Sequence, residues 1–110
     1  MIRLTVLYNL PEGHSEESFL EWRLSEHQSN NEAMPGVQRT DFARVTEQWP
    51  EQVGPKYRFQ TIVEWSDRDS FEASFYGEET QASIKTNLEK LGDYCFLVSE
   101  VLAESASSTD

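Results

Sequence analysis

Cysteine is nearly absent from this 110-residue chain, where Cys95 stands alone. No intramolecular disulfide can form, and a reducing compartment is the natural inference. Basic residues are scarce too, 9 against 20 acidic ones, for a formal net charge of −11. Phosphate backbones and anionic membrane surfaces are held by basic patches, which argues against nucleic-acid and membrane partners. The acids are spread along the chain rather than massed in one tail, and read as a solvated surface. The two histidines, His14 and His27, and the one cysteine lie far apart, so no metal-ligand cluster is visible. No apolar run approaches the length of a membrane span. The opening residues fall directly into a strand pattern without signal-peptide architecture, and the chain reads as cytoplasmic. Nucleophile elbow, glycine-rich phosphate loop and paired-carboxylate motif are all missing.

Aromatic rings are what the sequence does have. Hydrophobic residues make up only 37%, yet six Phe, four Tyr and three Trp bring the aromatic share to 12%. Rings bury much area per residue, so a modest apolar count still builds a core. The length fits one domain, expected over residues 1–102, with 103–110 (AESASSTD) a frayed tail.

Residues 2–9 are rich in β-branched and aromatic types and read as a strand. Ser15 is a suitable N-cap for a helix from about Glu16 to about Asn30, and Pro35-Gly36 forces a turn after it. A polar second strand is expected over 37–47. A third follows over 56–65, with Tyr57, Phe59, Thr61, Val63 and Trp65 on one face. Ser66-Asp67 starts a helix whose Phe71 and Phe75 share a face, and Gly77 interrupts it. A further helix over about 78–91 carries Ile84, Leu88 and Leu91 on one stripe, with Gly92 as its stop. Residues 93–102 form the last strand. The order β-α-β-β-α-β is the ferredoxin-like, split β-α-β pattern of an α+β domain with a four-stranded antiparallel sheet. Right-handed crossovers place the helices on one sheet face and leave the other bare. Both faces of the last strand are apolar and are expected to be buried, which a partner sheet can do. A twofold symmetric homodimer packed sheet to sheet is therefore expected.

Candidate chemistry is sparse. His14 lies in an exposed turn. Leu20, Leu24, His27 and Asn31, spaced four, three and four, place His27 on the helix's inward stripe. An imidazole there is either a satisfied core histidine or a pocket residue. Glu26, Glu64, Asp41 and Arg39 are possible partners for it, and no spacing selects one. The ring cluster is first of all a core. Tyr8 and Trp22 are the exceptions, because each carries a polar tip that needs a partner.

Several segments together resemble the EthD-domain family. The strand ending Tyr8-Asn9-Leu10-Pro11-Glu12-Gly13 is similar to the family's start. So are the helix with Phe19, Trp22 and His27, the turn Met34-Pro35-Gly36-Val37-Gln38-Arg39, and the later Phe71 and Phe75 beside a glycine. The resemblance spans about residues 2–102. It implies a dimeric α+β barrel in which two four-stranded sheets face each other. Family members accompany ether-degrading oxidation systems, or act as cofactor-free dehydratases, cyclases and decarboxylases on aromatic polyketides. Related barrels include cofactor-free monooxygenases and lactone isomerases. The family's histidine, often followed by another residue and a proline, matches His27, but Gln28 and Ser29 follow here.

Two functions follow. The first is a small enzyme without a cofactor, acting on an apolar, aromatic or carbonyl-bearing small molecule. His27 would be its general acid–base, and Tyr8 and Trp22 would position the substrate. The second is a non-catalytic ligand-binding or accessory protein of an oxidative or biosynthetic pathway. A haem-handling role lacks a second axial-ligand candidate.

Overall fold

A computed structural model describes residues 1–27, 34–50 and 54–105, apart from the side chains of Glu26 and His27. Strand β1 is Ile2–Tyr8, β2 Val37–Arg44, β3 Phe59–Trp65 and β4 Tyr94–Glu100. Helix α1 is Glu16–Trp22, α2 Arg68–Phe75 and α3 Glu78–Leu88. The sheet order is β2-β3-β1-β4, and every pair is antiparallel. This is the ferredoxin-like α+β fold that the order of elements predicts.

Local chemistry starts the elements where expected. Ser15 Oγ accepts from the Ser18 amide at 3.2 Å, and Asp67 Oδ1 from the Ser70 amide at 2.7 Å, capping α1 and α2. Gly36 supplies the positive φ of +74° that the turn before β2 requires. At Gly92 a Cβ would stand 2.7 Å from the Leu10 carbonyl oxygen, so only glycine lets the approach to β4 pass the end of β1.

Alternation sorts β1 into two faces. Ile2, Leu4, Val6 and Tyr8 are buried and lie opposite Trp65, Val63, Thr61 and Phe59 of β3. Phe19 from α1 and Phe71 and Phe75 from α2 close over this face. Burying each such ring or aliphatic chain is worth roughly 1.5–3 kcal/mol. The other face carries Arg3, Thr5 and Leu7 beside Gln60, Ile62 and Glu64, and no helix among the described residues covers it.

The boundaries differ in places. The first helix, expected to run to about Asn30, becomes a π-helical turn over Arg23–His27, and residues 28–33 lie outside the described set. The wider turn changes the phase of the inward stripe. Leu24, expected to point inward, is 62% exposed, and Arg23 takes the inward place at 1%. Strand β2 ends at Arg44 rather than 47, and β3 begins at Phe59 rather than 56. Both faces of β4 were expected to be buried. Within one chain they are not, because β4 is the sheet edge; Leu97 is 48% and Val98 40% exposed. Residues 103–105 have no regular structure, and the rest of the expected tail, 106–110, lies outside the described residues.

Candidate functional site

Helix α3 contributes no fully buried residue. Its stripe of Ile84 and Leu88 stands off the sheet, and a cavity of about 590 Å³ opens between them. That volume is in the range of small-molecule sites. Leu4, Val6 and Val63 form the floor, Phe19 and Trp22 one wall, and Phe75 another. Lys90 Nζ lies 4.3 Å above the Trp22 ring.

The floor carries one polar cluster. Val6 pairs with Thr61 across the sheet, which puts Thr61 diagonally beside Tyr8. The Tyr8 hydroxyl lies 3.0 Å from Thr61 Oγ1, and Arg23 Nη2 donates to the same oxygen at 3.2 Å. The Arg23 guanidinium also stacks 4.3 Å over the Phe42 ring, a favourable place for a buried cation. Burial raises the Tyr8 phenol above its ordinary range, against the pull of Thr61 and Arg23. It remains a protonated donor at neutral pH. Burial pulls the Arg23 guanidinium down, and Tyr8 opposes that shift. Across the cavity Ser74 Oγ is buried and has no hydrogen-bond partner among the described residues.

Tyr8 and Trp22, the expected positioning residues, thus meet at one cavity. The side chain of His27 lies outside the described residues; its backbone closes the π-helical turn that begins at Arg23. His14 is exposed and away from the cavity wall. Three of the possible partners of His27 lie on the opposite face of the sheet. There Arg39 Nε meets Glu64 Oε1 at 2.7 Å, Arg3 Nη2 meets Glu64 Oε2 at 2.8 Å, and Arg39 also pairs with Asp41. Arg23, Thr61 and Ser74 were not foreseen as site residues. A cation four places after Phe19, and Thr61 alternating with Phe59 and Val63, were the available signals. Among the described residues no cluster of His, Cys, Asp or Glu suits a metal ion. Nor is any helix among them long and apolar enough to cross a membrane.

The family model of the REDY-like protein HapK matches residues 2–103. No curated protein matches the chain. Among solved structures, an EthD-family protein from Bacillus halodurans is 21% identical. The match covers 93% of this chain and 99% of that one, with a TM-score of 0.76. A dimeric ferredoxin-like protein from Thermobifida fusca is 14% identical over 91% of this chain and 90% of that one, with a TM-score of 0.66. SnoaB, a cofactor-independent oxygenase from Streptomyces nogalater solved as a point mutant, is 14% identical over 94% of each chain, with a TM-score of 0.64. At these identities the likeness is one of fold.

Proposed function

The chain belongs to the REDY-like HapK family, and on that premise we propose that it is a small cofactor-free enzyme performing proton transfer on an apolar, aromatic or carbonyl-bearing small molecule. The observation that carries this reading is the 590 Å³ cavity, lined mostly by apolar surface, with a hydrogen-bonded polar cluster on its floor. An elimination, isomerisation or cyclisation needs a placed base, a donor for a substrate oxygen and exclusion of water. His27 is the base in this reading, Tyr8 the donor, and Trp22 a wall against which an aromatic substrate stacks. The cofactor-independent oxygenase SnoaB shares the fold, which supports cofactor-free catalysis in such a scaffold.

The working form in this reading is a homodimer joined through the helix-free sheet face. Leu97 is 48% exposed there, on the same face as Leu7 and Ile62, and the dimeric Thermobifida fusca protein shares the fold. A second reading, a binding or accessory protein, is favoured by one observation. Among the described side chains only Tyr8, Arg23, Glu78 and Glu79 bring titratable groups to the cavity.

Hydrogen exchange separates the two. In D₂O the protein should accelerate deuterium uptake at the α-carbons of 2-tetralone, an aryl-fused ketone that fits the cavity, as followed by NMR. His27→Gln should keep the fold and lose at least nine-tenths of the acceleration. Full exchange in His27→Gln removes the histidine from the mechanism. Binding of the ketone with no exchange in the wild type replaces the enzyme by the accessory reading.

A further inference from the structure

The direction of the hydrogen bonds on the cavity floor restricts what a ligand must offer. Arginine is a donor only, so the Thr61 oxygen accepts from Arg23. Thr61 and Tyr8 own one hydroxyl hydrogen each, and one of the two lies in the bond between them. The other hydrogen has no further hydrogen-bond partner among the described residues. Whichever hydroxyl holds it, both border the cavity. The chain that starts at a buried cation therefore ends in a donor facing the ligand. Arg23 borders the cavity but is 1% exposed and donates to Thr61, so its charge reaches a ligand through the two hydroxyls.

We infer that the Arg23–Thr61–Tyr8 chain is an oxyanion clamp, and that the ligand is a ring-conjugated enol, phenol or ketone whose oxygen carries or gains negative charge when bound. This deepens the proposed function and rests on the cavity being the ligand site. A neutral hydrocarbon gains nothing from the chain. An acceptor oxygen gains a hydrogen bond that strengthens as charge develops on it, with the guanidinium polarising the donor in a site of low dielectric. Tyr8 remains protonated at neutral pH, which supplies the donor form the clamp needs. Arg23 is a positioning residue in this scheme, and Tyr8 or Thr61 makes the contact.

A matched pair of bicyclic probes tests it. 4-Nitro-1-naphthol changes its visible absorption on ionising, and 1-nitronaphthalene has the same rings without the hydroxyl. Bound to the wild type, the naphthol should ionise at a pH at least one unit below its value free in solution, a tenfold enrichment of the anion. Arg23→Gln and the double variant Tyr8→Phe/Thr61→Val should each abolish that shift, while 1-nitronaphthalene binds within about twofold of wild type. Should Arg23→Gln fail to fold, the double variant Tyr8→Phe/Thr61→Val carries the test, since both changes keep the packing. A bound naphthol that ionises at or above its free value, with 1-nitronaphthalene bound normally, overturns the clamp and leaves the cavity reading intact. If neither probe binds, the cavity reading fails and the clamp with it.

Discussion

Ser74 carries a hydroxyl that is buried at the cavity wall and donates to nothing among the described residues. An unpaired buried polar group costs about 1–3 kcal/mol, and serine in a helix interior is a weaker helix former than alanine by a few tenths more. Ser74→Ala should therefore stabilise the ligand-free protein by about 1 kcal/mol, raising the melting temperature by roughly 4–8 °C. Calorimetry checks this, and a lower melting temperature would show the hydroxyl to be paired. The place of Tyr8 and Trp22 at the cavity was legible because a ring with a polar tip on an inward face demands a partner. Thr61 was legible as inward-facing from the alternation of Phe59, Thr61 and Val63, but its role needs the register that sets it against Val6. Arg23 was not legible, because a lone cation in a helix reads as surface until the fold buries it.

At the scale of elements, strands and helices followed from pattern, while their phase did not. The π-helical turn after α1 exchanges Leu24 for Arg23 on the inward stripe, and no period read from sequence contains that extra residue. In β2 a bulge pairs Val37 with Trp65 but Arg39 with the adjacent Glu64. That shift sets Arg39 beside Glu64 on the helix-free face, which the alternation of β2 alone does not show. Burial alone would raise the Glu64 carboxyl, but hydrogen bonds from Arg39 and Arg3 overcome it and hold the group below its ordinary value of 4.5. A lowered folded value means that the stabilisation is complete above pH 4.5 and is lost as pH falls through that lowered value. Protonated Glu64 would leave Arg3 and Arg39 on the helix-free face with, among the described residues, only Asp41 to balance them. Light scattering should give a mass twice 12.7 kDa at neutral pH. Both Glu64→Gln at neutral pH and the wild type in acid should shift toward the monomer. A wild-type monomer at neutral pH would contradict the sheet-to-sheet dimer.

For the whole molecule, the order β-α-β-β-α-β was enough to reach the fold, because few topologies fit it. The net charge of −11 is compatible with self-association, since the helix-free face balances Arg3 and Arg39 against Glu64 and Asp41. The size of the cavity was not legible. It exists because α3 stands off the sheet, a property of spacing between elements rather than of any residue. Whether the molecule works through that cavity or through its bare sheet face is the central question, and intermolecular NOEs answer it most directly. With 1-nitronaphthalene bound to methyl-labelled protein, contacts are expected at Leu4, Val6, Val63 and Ile84 around the cavity. Contacts confined to Ile62 and Leu97, on the opposite face, would contradict the account.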